Sequence, residues 1–121
     1  LAALKNAHIP VALATSTAQA SVLKELKDAG IRDYFDQVVC GDMVSHSKPH
    51  PEIFLTACAA LGAKPEKTIV IEDSYNGIRA AHAGGMMPVM VPDMLQPTGE
   101  IEKMTIAVCE SLLVVKENIG L

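Results

Sequence analysis

The chain has few aromatic residues and no tryptophan. Two phenylalanines and two tyrosines make up 3% of its 121 residues, although half of all residues are apolar. Its core must therefore consist of aliphatic side chains and methionine, which suits helices packed on a parallel sheet. A chain of this length forms one domain at most and is long enough to bury a core.

Long runs of charge and of apolar residues are also missing. The net charge is −4 with no extended block of one sign, which argues against nucleic acid or an anionic membrane surface as the main partner. No apolar run approaches the length of a membrane span. The three cysteines are odd in number and show no CxxC spacing, so they are interpreted as buried thiols of a cytoplasmic protein. The chain begins with Leu1, without a signal peptide, and is expected to have lost its beginning.

Apolar strand patterns alternate with amphipathic helix patterns along the chain. Strands are predicted at 11–14, 38–40, 68–71, 87–91 and 105–108, and helices at 1–8, 18–29, 51–61, 75–83 and 111–118. This alternation predicts an α/β fold with a mostly parallel sheet and helices on its faces. Pro88 predicts an edge strand or a strand start, and 92–99 a loop.

One stretch joins a strand pattern to two carboxylates. Residues 68–71 predict a strand buried on both faces, followed directly by Glu72, Asp73 and a helix. Ligands of open α/β sheets bind at this edge, and adjacent buried carboxylates usually require a cation. The alternative is that Asp73 or Ser74 caps the helix and that Glu72 is solvated.

Two further motifs fall at the same predicted edge. Thr15 and Ser16 occupy a strand-to-helix turn, whose hydroxyls and N–H groups suit phosphate oxygens, although Ser16 or Thr17 could simply cap the helix. Lys48 lies in a polar loop before Pro49, where a lysine is usually just solvated. Together the motifs provide an anion site beside a cation site, as magnesium-dependent phosphoryl transfer requires.

These motifs, in this order, resemble the haloacid dehalogenase superfamily, and in style its β-phosphoglucomutase-like phosphatases. The matching segments are VALATS at 11–16, SKPHPEIF at 47–54 and IVIEDSYNG at 69–77, and the resemblance covers about residues 5–115. It implies a Rossmann-like three-layer core and a phosphatase that acts on a small phosphorylated metabolite, such as a sugar phosphate, through an aspartyl-phosphate.

The resemblance also implies a role for each motif. The Thr15 hydroxyl and the Ser16 N–H would hold the transferring phosphoryl group. Lys48 would neutralise charge between that group and the nucleophile. Glu72 and Asp73 would hold Mg²⁺, directly or through water.

The superfamily's Asp-x-Asp motif, which supplies the nucleophile and the general acid/base, occurs nowhere in the chain. In the family it lies upstream, on a strand between those ending here at Thr15 and Glu72, and a substrate-selecting helical cap follows it. The resemblance therefore implies that 1–121 is a partial, carboxyl-terminal core domain, inactive alone. Its two apolar edges are expected to pair directly, to exchange elements in a homodimer, or to hold the missing amino-terminal segment.

Other functions stay open. A phosphohexomutase of the same family is disfavoured because Ala18 and Gln19 stand where such relatives tend to carry a Lys-Asn pair. A dehalogenase would need no metal, so the pair of Glu72 and Asp73 argues against this function. A receiver-type signalling domain fits the order of the motifs less well. A non-catalytic phosphate- or metal-binding module is the alternative from another class.

A zinc pair at His46 and His50 is not predicted. The two histidines are four residues apart, but Pro49 and Pro51 prevent a helix that would place them on one face.

Overall fold

The computed structural model describes residues 2–91 and 98–109. The predicted terminal helix at 111–118 and most of the predicted loop at 92–99 lie outside them. The described elements are α1 (Ala2–Asn6), β1 (Ala12–Ala14), α2 (Gln19–Ala29), β2 (Gln37–Val39), α3 (Glu52–Leu61), β3 (Ile69–Glu72), α4 (Tyr75–Ala83), β4 (Met87–Met90), α5 (Gly99–Met104) and β5 (Ala107–Val108). This alternation of helices and parallel strands confirms the predicted α/β fold.

Helix ends follow the local sequence closely. Gly30 and Gly62 adopt left-handed conformations after α2 and α3, with φ angles of 71° and 68°, as expected of glycines that end helices. Helix α5 was not predicted, because Gly99 and the prolines before it indicate a loop. None of the helices within the described residues is long and apolar enough to cross a membrane.

The described strands form two parallel sheets, β1–β2 and β3–β4–β5. Strand β4 is the middle strand of the second sheet, so of the two predicted positions for Pro88 the sheet edge is wrong and the strand start is confirmed. Pro88 is the second residue of β4 and lies opposite Val70 in β3. The Pro88 carbonyl accepts a hydrogen bond from the Ile106 N–H at 2.8 Å. A proline near the start of a strand loses only one ladder donor, which explains why the position is tolerated.

No strand of the described residues lies between β1 and β3. Strand β1 pairs with β2 and strand β3 with β4, so direct pairing of β1 with β3, one of the three expected alternatives, is wrong. Helix α3 joins the two sheets instead, because it packs against β1, β2 and α4. The interface between the two sheets is therefore made by side chains and not by a strand ladder.

The largest apolar cluster lies under α3 and α4. It contains Val39, Ile53, Phe54, Ala57, Cys58, Val70, Ala80, Ala81 and Met86, with Ala12 and Ala14 packed against it. A second cluster joins α2 to the first sheet, and a third joins α4 and α5 to β4. All three cysteines are buried and none forms a disulfide, which confirms their interpretation as buried thiols.

Strand β3 is buried on one face only. Val70 is 7% exposed, whereas Ile69 and Ile71 on the opposite face are 38% and 43% exposed. The prediction of burial on both faces is therefore wrong within the described structure, because no described element covers the second face.

Candidate phosphate and metal site

Thr15 directly follows β1, at the carboxyl end of the first sheet. Its N–H donates to the Val39 carbonyl at 3.0 Å, and its Oγ1 accepts the N–H of Thr17 at 3.2 Å. Thr15 is half-buried and Ser16 is exposed. The helix-capping alternative named Ser16 or Thr17, but it is the Thr15 hydroxyl that binds the backbone of this turn.

The loop after β2 folds onto the same turn. Gly41 donates its N–H to the Thr17 carbonyl at 3.1 Å, and a Cβ at Gly41 would collide with the carbonyl of Ser16. Only glycine fits this close approach. The next residue, Asp42, accepts the Gln19 N–H with Oδ1 at 3.2 Å and so places a carboxylate at the amino end of α2. Asp42 is not among the site residues predicted from the sequence, although a Gly-Asp pair after a strand pattern is a usable signal.

Lys48 and Glu72 form an ion pair. The Lys48 Nζ donates to Glu72 Oε2 at 2.9 Å, and the two side chains are only 14% and 12% exposed. The ammonium also lies 5.0 Å from the centre of the Phe54 ring. The two alternatives given in the sequence analysis, a solvated Lys48 and a solvated Glu72, are therefore wrong. Two residues 24 positions apart share one partly desolvated site.

The Glu72 carboxylate also binds the first turn of α4. Its Oε1 accepts the Asp73 N–H at 3.1 Å, the Ser74 N–H at 3.4 Å and the Ser74 hydroxyl at 3.2 Å. A Cβ at Gly77 would overlap the Glu72 carboxyl group, so any larger residue there would displace this side chain. Ser74 caps α4 by accepting the Gly77 N–H at 3.0 Å, which confirms the capping alternative for Ser74.

These contacts set the charge of Glu72. Burial alone would raise its pKa, but the hydrogen bond and the positive charge of Lys48, together with hydrogen bonds from Asp73, hold the pKa below its ordinary value. Glu72 is therefore an anionic acceptor at neutral pH.

The chemistry of the two carboxylates fits Mg²⁺, which binds one or two carboxylates and completes its shell with water and substrate phosphate. Glu72 already uses both oxygens on Lys48 and the α4 turn, whereas Asp73 is exposed. Within the described residues, hydrogen bonds join Lys48 to Glu72 but join neither of them to Thr15 or Ser16. Of the five expected site residues, the structure thus brings Lys48, Glu72 and Asp73 together directly.

Glu52 fixes the loop that carries Lys48. Its Oε1 accepts the Ser45 N–H at 2.8 Å and its Oε2 accepts the His46 N–H at 2.9 Å. The Ser45 N–H and then the His46 side chain hold the pKa of Glu52 below its ordinary value. This role of Glu52 was not predicted from the sequence. Its signal is a glutamate in the first turn of a helix that follows the lysine loop.

Comparison with known proteins identifies the family. The model of the haloacid dehalogenase-like hydrolases matches residues 1–91. The chain belongs to this family. It is 43% identical over 83 residues to a phosphorylated carbohydrates phosphatase of Thermotoga maritima, covering 69% of the chain and 38% of that protein. It is 42% identical over 82 residues to the fructose-1-phosphate phosphatase YqaB of Escherichia coli, covering 68% of the chain and 44% of the relative.

Solved structures of family members share the fold. A haloacid dehalogenase phosphatase from Thermococcus onnurineus superimposes with a TM-score of 0.85 at 28% identity, over 97% of the chain and 53% of that structure. A β-phosphoglucomutase from Clostridium difficile gives a TM-score of 0.75 at 32% identity, over 91% of the chain and 46% of that structure. The Rossmann-like core is confirmed. The chain spans about half the length of these proteins, or less.

Proposed function

We propose that the protein containing this chain is a Mg²⁺-dependent cytoplasmic phosphatase acting on a small phosphorylated metabolite, such as a sugar phosphate. The ion pair of Lys48 with Glu72 carries the proposal, because it holds a desolvated ammonium at the carboxyl end of a parallel strand. Family membership supports it, as do relatives named for phosphorylated carbohydrates and fructose 1-phosphate. Three buried cysteines without a disulfide suit a reducing compartment.

Each residue of the site has a proposed task. Lys48 donates to a phosphoryl oxygen and offsets negative charge, while Glu72 holds its ammonium in position. Thr15 and Ser16 donate their hydroxyl and N–H groups to the remaining oxygens. Asp73, with Glu72 directly or through water, holds Mg²⁺, which when bound supplies positive charge to the phosphate.

The nucleophile is the missing part of this site. No Asp-x-Asp occurs in the chain, so the attacking carboxylate has to come from another segment. We place its strand between β1 and β3, because both strands have an unpaired side there among the described residues. Attack of this carboxylate on phosphorus would form an aspartyl-phosphate and release the alcohol, and water would then hydrolyse the acyl phosphate.

The test starts from the longest reading frame that encodes the chain. Its product is assayed on a panel of sugar phosphates with Mg²⁺ and with EDTA. We expect hydrolysis that requires Mg²⁺, and Lys48→Met to lower kcat by about 10²–10³-fold, the range seen when one charge-stabilising donor is removed. Lys67→Met is the matched control, since Lys67 is an exposed lysine of the turn before β3. Full activity of the Lys48 variant would refute the proposed site.

Two other outcomes of the same assay are informative. Conversion of one hexose phosphate into its isomer, without phosphate release, would identify a phosphohexomutase, which similarity to a β-phosphoglucomutase favours. Binding of Mg²⁺ and a phosphate mimic without turnover, in a product that contains no Asp-x-Asp, would identify a non-catalytic binding module.

A further inference from the structure

Two imidazoles and a carboxylate meet on the loop next to Lys48. They belong to His46, His50 and Glu52, and each offers a ligand atom within 4.8 Å of the others. We propose that these three side chains bind a divalent transition-metal ion of the Zn²⁺ type. This metal site is separate from the carboxylates of Glu72 and Asp73 and does not depend on the proposed phosphatase activity.

The cluster is formed by a turn and not by a helix. The imidazole rings of His46 and His50 stack with centroids 4.6 Å apart and planes inclined by 24°. The His50 N–H donates to the Ser47 carbonyl at 3.0 Å, and this hydrogen bond closes the turn that brings the two rings together. Pro49 and Pro51 exclude a helical arrangement of the two histidines, but they do not exclude this turn, which was not predicted from the sequence.

The distances are close to those that a metal needs. His46 Nδ1 lies 2.8 Å from Glu52 Oε2, and a metal can replace the proton that these two atoms share. Tetrahedral ligands at about 2.1 Å from zinc lie about 3.4 Å from one another. The third ligand atom lies within 4.8 Å of the other two and must therefore move inward by at most about 1.4 Å. The His46 side chain is 65% exposed, so little packing opposes such a rotation.

The backbone of the site is already ordered. Glu52 accepts the N–H groups of Ser45 and His46, and two prolines flank His50 and restrict its backbone. A loop that is fixed before binding loses less conformational entropy when a ligand arrives. His46 and Glu52 are thus held in place without a metal, and only side-chain torsions have to change.

Binding has identifiable costs. Glu52 Oε2 keeps its backbone bond to His46, because a carboxylate oxygen has more than one lone pair. His50 Nδ1 accepts the Glu52 N–H at 3.1 Å, so His50 either gives up this bond or turns its ring to present Nε2. Imidazole ligands favour zinc, nickel and copper over Mg²⁺, so a large excess of Mg²⁺ does not compete.

The experiment is a calorimetric titration of the chain with Zn²⁺ in the presence of excess Mg²⁺. His46→Gln and His50→Gln are compared with His82→Gln, which removes an exposed histidine of α4 and keeps the histidine count equal. We expect one bound Zn²⁺ per chain, a loss of affinity of about tenfold or more for each of the first two variants, and no change for His82→Gln. In histidine NMR spectra, the His46 and His50 ring signals shift on binding.

Three results would overturn the proposal. The first is absence of Zn²⁺ binding by a chain whose circular dichroism shows the helices. The second is unchanged affinity in both His46→Gln and His50→Gln. The third is a Co²⁺ complex with a thiolate charge-transfer band, which would assign the metal to the cysteines. None of these results bears on the Lys48 test of phosphatase activity.

Discussion

The two strands that border the space between the sheets are covered differently. Strand β1 is half-buried throughout, with Ala12 and Ala14 packed on the α3 cluster and Leu13 on the α2 cluster. Strand β3 buries Val70 under α3 and α4 but leaves Ile69 and Ile71 exposed on its other face. The first sheet is therefore covered on both faces near the gap, and the second on one. The uncovered face next to this space therefore belongs to β3.

The largest expected effect comes from shortening a buried side chain of α3, the helix that joins both sheets. Ile53 of α3 is 2% exposed and belongs to the cluster shared by the two sheets. Ile53→Ala should lower the free energy of unfolding by about 2–5 kcal/mol, because burial is lost and a cavity remains. Leu55→Ala on the same helix is the control, since Leu55 is 39% exposed. The measurement is a urea titration.

Tyrosine fluorescence can show whether the sheets unfold together. The chain has no tryptophan and two tyrosines, Tyr34 before β2 and Tyr75 in α4, so each tyrosine reports on one sheet once the other is replaced by phenylalanine. Coincident transitions in both variants would make the chain one cooperative unit. In Ile53→Val, which should cost about 0.5–1.5 kcal/mol, the two transitions should still shift together. A shift of only one transition would contradict the joining role of α3.

The next largest effect on stability is expected from the ion pair of Lys48 with Glu72, at the end of β3. Lys48→Met and Glu72→Gln should each destabilise the chain by about 1–3 kcal/mol, because each leaves a partly buried polar group without its charged partner. The double variant should lose less than the sum, with a coupling energy of about 0.5–3 kcal/mol. Urea titrations of the four proteins in EDTA measure this cycle. If the losses of stability in the two single variants add up to the loss in the double variant, the interaction between Lys48 and Glu72 contributes no stability.

The order of strands and helices could be predicted, because the periodicity of apolar residues and the glycines after α2 and α3 act locally. The position of Pro88 in the sheet and the exposure of Ile71 could not, because both depend on which elements lie alongside. A continuous apolar run such as 69–71 predicts a strand covered on both faces, but it does not identify the element that covers each face.

The site was predictable to a similar degree. Thr15, Glu72 and Asp73 fall at strand ends, which the sequence pattern locates. The contact of Lys48 with Glu72 depends on a loop path, and so do the support from Glu52 and the stacking of His46 on His50. Loop paths are set by hydrogen bonds between residues that no periodic pattern connects.

A smaller effect compares the helices that begin beside the two strands. Ser74 caps α4 with its side chain, whereas Ala18 precedes α2 in an extended conformation without a side-chain cap. Ser74→Ala should cost about 1 kcal/mol, and Ala18→Ser should stabilise by up to about 1 kcal/mol. Thermal unfolding of both variants provides the measurement. A destabilising Ala18→Ser would mean that Asp42, which accepts the Gln19 N–H, already satisfies this helix end.

The smallest effect on stability, and the sharpest on association, is expected at the exposed face of β3. Ile71→Thr should change the free energy of unfolding by no more than about 0.5 kcal/mol, because the side chain is 43% exposed and threonine keeps the β-branched shape. The isolated chain should self-associate through the unpaired side of β3, and the variant should do so less, because exposed apolar strand edges favour association. Sedimentation velocity over a range of concentrations measures the effect. Ile106→Thr is the control, since Ile106 is 57% exposed but precedes β5, away from the gap. Equal association of wild type and both variants would show that the chain does not associate through β3. The different exposure of β1 and β3 would then have no consequence for assembly.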